Sequence, residues 1–455
     1  MTEGAADLFC PLEYRYGREE LRSIFSRGAR LSRALRVEGA LALAEADEGM
    51  IPRADAEAIA QASQSGAVTV EEVDALERET RHDVMAITRA LARASGAAGR
   101  WVHYGATSAD ITETALALEL VDSVTILRRD LTDLVRELLT LARRHRATPQ
   151  LGRTHGQQAV PISFGYKMAV AASEFERHRR RLDELRPRLA VGKMAGAVGT
   201  GAGFGEKGEA IEANVMKRLG LTAADAPIQL VMRDGLAEFT NWLALVASSA
   251  ERLSTEVRNL QRTEIGEVAE PFDDRRQVGS STMAQKRNPI VAENITSLAR
   301  LVRALALVPL ENMVQWHERD LANSANERIV IPHAIVLLDD ILSKLTELAR
   351  GLDVRAGRME ENLKAGRGAE MTESLMLALT SRGLPRAESH ELLRRLTHGA
   401  SSDRPLAELA RGDSTVQRLL TPQEIDTILD PKSYVEAAAR KTDRVVARLS
   451  RVVDA

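Results

Sequence analysis

Residues 111–146 contain neither proline nor glycine. Proline removes a backbone donor and clashes with the preceding turn, and glycine weakens a helix, so this run is free to form one long helix. Residues 161–186 read as a second, with Pro161 in its first turn and Pro187 beyond its end. Within 228–264, Leu236, Phe239, Leu243, Val246, Ala250, Leu253, Val257 and Leu260 step by three and four alternately. That spacing makes an apolar seam of the kind long helices bury when they pack nearly parallel. Residues 289–315 and 327–350 repeat the theme, the latter with Ile335, Leu338, Leu342 and Leu345 on one face and Pro332 near its start. The pattern predicts an all-α chain built on a bundle of five long helices. Seams on two faces of some helices predict burial between subunits, hence an oligomer.

Shorter patterns flank the bundle. Residues 1–20 read as irregular, and two helical patterns then run to about residue 62, broken near Gly49–Pro52. Residues 70–95 read as one helix containing Arg81-His82-Asp83. Trp101 to Asp110 reads as a loop that ends in a helix start, with Ser108 or Asp110 as the cap. After Gly351 the helices shorten again, at 369–383, 386–398, 404–410 and 433–450. The expected domains are 1–110, a central bundle 111–352, and a small helical domain 353–455. The segment Gly192 to Gly205 reads as a connector; with no strand before it, it is not a nucleotide-binding glycine loop. Net charge is −3, which excludes a broad nucleic-acid or membrane surface and leaves a small anionic substrate to be met by local cations. Cys10 is the only cysteine, so neither an internal disulfide nor a thiolate metal cage is expected. No leader pattern and no bilayer-length apolar run is visible, and the expected location is cytoplasmic.

Five stretches are too polar for the core of a bundle. The most distinctive is Gly279-Ser280-Ser281-Thr282-Met283-Ala284-Gln285-Lys286-Arg287-Asn288-Pro289. It supplies hydroxyls for a proton, cations for a carboxylate, a glycine hinge, and a proline that opens the next helix. The others are Arg81-His82-Asp83, Thr107-Ser108, Gly152-Arg153-Thr154-His155-Gly156-Gln157, and Trp316-His317-Glu318-Arg319-Asp320 with Ser324 and Arg328. Taken singly, the second fits a surface ion-pair trio and the third a helix cap. His155 lies in a loop, and an imidazole is the side chain best suited to acid–base chemistry near neutral pH. Arg319 and Arg328 with a hydroxyl suit a phosphate. No metal is expected: His317-Glu318 lacks the second histidine of a zinc helix, and Asp273-Asp274 is neutralised by Arg275-Arg276.

The Gly279–Pro289 string resembles the signature loop of the fumarase/aspartase superfamily, Gly-Ser-Ser-x-Met-x-x-Lys-x-Asn-Pro. With Tyr14-Arg15-Tyr16, Arg81-His82-Asp83, Thr107-Ser108, Thr154-His155-Gly156-Gln157, Asn259 to Glu264, Glu318-Arg319-Asp320 and Leu429-Asp430-Pro431, the chain resembles the adenylosuccinate lyase branch over nearly its whole length. The resemblance implies three helical domains, and a homotetramer whose central helices form a twenty-helix core with active sites drawn from three chains. It implies elimination of fumarate from adenylosuccinate and from succinylaminoimidazolecarboxamide ribotide, without a cofactor. It gives Ser280 the role of general base and His155 that of general acid; Ser281 is the rival hydroxyl. A serine alkoxide is improbable in water, so Lys286 and loop closure must lower its pKa. Arg15, Tyr16, Arg319, Ser324 and Arg328 are implied to bind the phosphate. Thr107, Ser108 and Gln229 are implied to hold the succinyl carboxylates, with Lys286, Arg287 and Asn288 in the loop and Arg81, His82 and Asp83 along the base and phosphate. The chain departs from the pattern at Gly235-Leu236, Ala284 and Gln285, and Val160, Ile162 and Thr282 resemble the carboxymuconate cycloisomerase branch. Alternatives are therefore such a cycloisomerase, a relative eliminating nitrite from a succinate derivative, and a non-catalytic structural protein. The phosphate-suited arginines argue against the first, and intact Ser280, His155 and Lys286 against the last.

Overall fold

The computed structural model describes residues 8–453 apart from 274–276, 278, 280, 281, 284 and 401–403. Ser280, Ser281 and Ala284 of the signature loop, and Asp274-Arg275-Arg276, therefore lie outside the described residues.

The fold is all-α. The helices expected for the central bundle are Ser108–Arg144, Phe164–Leu189, Asp234–Gln261, Ile290–Leu305 and Ser324–Gly351, and Arg27–Asp47 and Lys432–Val453, outside it, are also long. Every residue of the seam from Leu236 to Leu260 named above is buried, as are Ile335, Leu338, Leu342 and Leu345. Strand content among the described residues is three two-stranded pieces: the antiparallel hairpin Pro149–Thr154 with Gln157–Ser163, parallel Val191–Gly192 with Thr222–Ala223, and antiparallel Val268–Ala269 with Asp353–Val354. No helix among the described residues is long and apolar enough to cross a membrane.

Several expected boundaries move. The single helix over 70–95 is two, Val70–Thr80 and Asp83–Ala94, because Arg81 turns left-handed at φ +52° and His82 caps the second. Pro161 is not in a first helical turn; it lies in the Gln157–Ser163 strand, and the helix starts at Phe164 and carries Pro187 in its last turn. The pattern over 289–315 divides into Ile290–Leu305 and Leu307–Glu311. Helices Gly208–Leu219, Ala356–Ala365 and Pro422–Ile428 were not expected, whereas Arg386–His398 falls where its periodicity put it.

The chain divides into two compact units, Met1–Asp130 with His178–Ala250 and Ser297–Ser343, and Leu131–Arg177 with Glu251–Thr296 and Lys344–Ala455. In the first, Arg27–Asp47 packs with Arg53–Gln64 and Gly208–Leu219 around Leu41, Ile59, Ile111 and Ile211. The segment before Arg27 is bolted to the Ser324–Gly351 helix. The Gly17 N–H donates to Asp340 Oδ1 at 3.0 Å, and the Arg18 N–H donates to Asp339 Oδ2 at 2.9 Å. The Arg18 guanidinium also pairs with Asp339 and Asp130. Gly17 is required there: its φ is +77°, and an added Cβ would meet Val336 Cγ1 at 2.3 Å. In the second unit a separate apolar cluster around Leu375, Leu392, Val416 and Ile425 organises the short C-terminal helices.

The first unit also buries an acid. Glu45 is fully enclosed, and neither carboxyl oxygen has a hydrogen-bond partner among the described residues. Burial, followed by the charge of Glu38, pushes its pKa up to about 9. The folded value lies above the unfolded one, so the acid's contribution to stability is complete below the unfolded pKa and is lost as pH rises through the folded one. Replacing Glu45 by Gln is expected to stabilise the protein increasingly from about pH 5 to about pH 8. Thermal unfolding of both proteins across that range checks this, and a difference in Tm that does not change with pH contradicts it.

Candidate active site

In the first unit, a series of hydrogen bonds joins four segments. The Thr107 N–H donates to Asp110 Oδ2 at 2.8 Å, so Asp110 reaches back over the start of the Ser108–Arg144 helix. Asp110 is buried and also receives the Lys193 ammonium, the Ala195 N–H at 2.9 Å and the Gly196 N–H at 3.1 Å. Lys193 is buried as well, so the pair is satisfied by ion pairing and backbone donors together. The neighbouring Ala197 carbonyl accepts from Gln229 Nε2 at 2.8 Å, and the Gln229 N–H donates to the Glu318 carbonyl at 3.1 Å. Arg319 follows. Thr107, Ser108, Gln229 and Arg319 thus belong to one connected framework.

Ser324 opens the helix that carries Arg328, and Arg328 Nη2 lies 2.9 Å from Asp83 Oδ2. Asp83 starts its own helix, with His82 Nδ1 accepting the Met85 N–H at 3.3 Å. Arg81, His82, Asp83, Ser324 and Arg328 therefore form a second group. Arg15 and Tyr16 lie on a segment fastened along the Ser324–Gly351 helix: Cys10 Sγ lies 3.8 Å from His333 Nε2, and the Gly17 and Arg18 N–H groups hold Asp340 and Asp339.

His155 is in the second unit, and not in an irregular loop. It forms the tip of the Pro149–Thr154/Gln157–Ser163 hairpin, where Thr154 pairs with Gln157. His155 has φ +55° and Gly156 φ +76°, the pattern of a two-residue type I′ connection. The ring is exposed at that tip. The hairpin is held near its tip by Arg153, which donates to buried Glu267 at 2.6 and 3.0 Å. Gln150 and Asn362 add donors to Glu267 at 2.7 and 2.8 Å. Burial opposes the ionised form of Glu267, but these donors outweigh it and hold its pKa below the usual carboxylate value.

The signature loop spans Gly279 to Pro289 in the same unit. The φ of Gly279 is not left-handed; what demands glycine is the Lys286 carbonyl, only 2.0 Å from where a Cβ would stand. Asn288 Nδ2 donates to the Gly279 carbonyl at 3.2 Å, which ties the two ends of the loop together. Gln261 holds it from below, donating to the Arg287 carbonyl at 3.2 Å and accepting the Glu270 N–H at 2.9 Å. Glu270 in turn accepts the Val291 and Ala292 N–H groups at 3.0 and 2.6 Å and caps the following helix. Lys286 is exposed. The Arg287 guanidinium sits 4.9 Å from the Phe272 ring centroid, which makes it a packed cation as well as a candidate ligand.

Among the described residues, non-glycine positive φ occurs at Arg81, His103, His155, His317 and Arg367. The first four lie in or beside the polar stretches singled out by sequence, where strained backbone tends to collect. No group of three or more His, Cys, Asp and Glu among the described residues could hold a metal ion. Sequence reasoning missed Asp110–Lys193, Glu267, Glu270 and the Arg233–Glu113–Glu327 cluster. Only Arg233-Asp234, a charged pair where a buried seam begins, offered a local signal.

A family described as lyase matches residues 13–304, and one described as adenylosuccinate lyase C-terminus matches residues 368–445. Adenylosuccinate lyase of Pyrococcus horikoshii is 43% identical over 96% of this chain and 97% of its own length. That of Methanothermobacter thermautotrophicus is 42% identical over 96% of this chain and 98% of its own. Two solved structures share the fold at a TM-score of 0.87. One is a fumarate lyase from a Mesorhizobium species, 32% identical over 95% of this chain and 98% of that one. The other is the 3-carboxy-cis,cis-muconate lactonizing enzyme of Pseudomonas putida, 33% identical over 98% of this chain and 99% of that one. The chain belongs to the adenylosuccinate lyase family.

Proposed function

We propose that the protein is a carbon–nitrogen lyase that eliminates fumarate from adenylosuccinate, releasing AMP, and from the related succinylaminoimidazolecarboxamide ribotide, in purine nucleotide synthesis. The reading is supported chiefly by the framework that joins Thr107, Gln229 and Arg319, which gathers hydroxyl, amide and guanidinium donors suited to carboxylates and a phosphate. The sequence relatives support it further.

In this reading Ser280 takes the proton from the carbon beside a succinyl carboxylate. The electron pair is spread into that carboxylate, against the Lys286 ammonium and the second N–H of the Asn288 amide. The C–N bond then breaks and His155 delivers a proton to the departing nitrogen. Arg319 receives the phosphate. Burial lowers the pKa of its guanidinium, and its Nε has no partner among the described residues, a donor that an anionic ligand would satisfy.

The proposed assembly is a homotetramer of three-domain chains, divided at 1–110, 111–352 and 353–455, with each site completed by three chains. Exposed Val170, Leu245, Leu301, Leu307 and Leu310 lie on the central helices and suit burial against further copies. An active monomer in sedimentation would contradict this. The proposed location is cytoplasmic.

The substrate reading is tested by comparing adenylosuccinate with its 5′-dephosphorylated nucleoside in wild type and Arg319→Ala. The variant is expected to lose about 1.5–3 kcal/mol of transition-state stabilisation with the phosphorylated compound only. An equal loss with both substrates removes Arg319 from the phosphate. Val160, Ile162 and Thr282 favour a second reading, the cycloisomerase; it predicts lactone formation from 3-carboxy-cis,cis-muconate and no fumarate.

A further inference from the structure

We infer that Arg233 is a positioning residue whose double ion pair keeps Arg319 free for an anionic ligand. The inference rests on the phosphate role proposed for Arg319. Arg233 is only 4% exposed. Its Nη1 and Nη2 both donate to Glu113, while Nε and Nη2 reach Glu327 at 3.0 and 3.1 Å. The Val231 N–H adds a bond to Glu113 at 3.2 Å, and Asn312 Nδ2 adds one to Glu327 at 3.2 Å. Glu113 lies on the helix that starts at Ser108, and Glu327 on the helix that starts at Ser324. Arg233 itself follows Gln229 by one short turn of chain. One guanidinium therefore joins three segments, each carrying a candidate ligand for the substrate.

The charge balance makes this more than a structural pin. The Glu113 and Glu327 side chains are 7% and 10% exposed. Carboxylates this enclosed are costly unless a cation meets them. The charges of these two carboxylates reach Arg319, as do those of Arg233 and of the next residue in the chain, Asp320. Yet Arg319 forms no ion pair among the described residues. Among the described residues its guanidinium makes one hydrogen bond, from Nη1 to Asn323 Oδ1 at 3.4 Å, and its buried Nε has no partner. Two carboxylates thus share a neighbourhood with two guanidiniums and pair with only one. Arg233 satisfies both through its planar fork, which an ammonium cannot reproduce. Without the fork an unpaired carboxylate draws Arg319 inward and away from the ligand.

The test follows steady-state kinetics of fumarate release, with adenylosuccinate and with its dephosphorylated nucleoside. In Arg233→Lys, the KM for the phosphorylated substrate is expected to rise about tenfold, with kcat within about twofold and the nucleoside unaffected. Combining Arg233→Met with Glu113→Gln and Glu327→Gln removes the fork and both competing charges. Its phosphorylated-substrate KM is expected to return to within about threefold of wild type. A combined variant as impaired as Arg233→Lys, or an Arg233→Lys variant impaired equally with both substrates, overturns the inference in favour of a simple pin. Glu327→Gln alone keeps the Arg233–Glu113 fork and gives a milder probe should the combined variant not fold. It is expected to leave the ratio of the two KM values unchanged or lower, and a rise selective for phosphate overturns the inference. If wild type treats both substrates alike, the phosphate role fails and the inference falls with it. If wild type discriminates and Arg233→Lys keeps the wild-type ratio, the inference alone fails.

Discussion

His155→Asn lowers kcat by about two to four orders of magnitude and leaves Tm within a degree or so of wild type, since a positioned acid is worth that much in rate and the exposed tip little in stability. Asparagine is the informative replacement because of the backbone. His155 stands at φ +55° in a two-residue turn, a conformation asparagine tolerates and alanine adopts only at a cost of about 1–2 kcal/mol. His155→Ala is expected to show the same kinetic loss with an added drop in Tm. The hairpin keeps its register in either variant, because Arg153, Gln150 and Asn362 hold Glu267 without using the residue 155 side chain. Rate and melting measurements on the pair separate acid chemistry from turn geometry. Near-normal turnover by His155→Asn would remove the residue from the reaction.

Ser280→Ala has an effect of similar size and a different signature. The variant is expected to bind substrate nearly as well as wild type while losing about two to four orders of magnitude in the chemical step, since the hydroxyl acts mainly in the transition state. The structure explains why the loop around it tolerates little change. Gly279 and Lys286 approach so closely that a Cβ would overlap the Lys286 carbonyl, and Asn288 ties back to the Gly279 carbonyl. The proposed carboxylate clamp, Lys286 and Asn288, therefore sits on a constrained segment. Single-turnover measurements on Ser280→Ala and Ser281→Ala identify the base. Activity in the first and none in the second exchanges the two roles, and activity in both takes a loop serine out of the mechanism.

The long helices were legible because periodicity is local information. Leu236 through Leu260 in steps of three and four, and Ile335 through Leu345, are buried as their spacing requires. The signature loop and His155 were legible as residue types, but not their geometry. Nothing local marks His155-Gly156 as a hairpin turn, because the usual Asn-Gly or Asp-Gly signal is absent. Pro161, read as a helix start, proved to be a strand residue paired with Leu151. The break at Arg81 was hidden because an arginine, not a glycine, takes the left-handed position. The ion pairs around the candidate site were barely visible in sequence, with Arg233-Asp234 the one local signal. Arg18–Asp339, Lys193–Asp110 and Arg233–Glu113 link residues far apart along the chain, and no periodicity or spacing encodes such partners.

Release of fumarate from a succinylated purine nucleotide is measured by incubating the purified protein with adenylosuccinate and quantifying products by chromatography, with 3-carboxy-cis,cis-muconate as a parallel substrate. Fumarate and AMP are expected in equal amounts from the first and no lactone from the second. Lactone from the muconate, with no fumarate from adenylosuccinate or the imidazole ribotide, would contradict the proposed function.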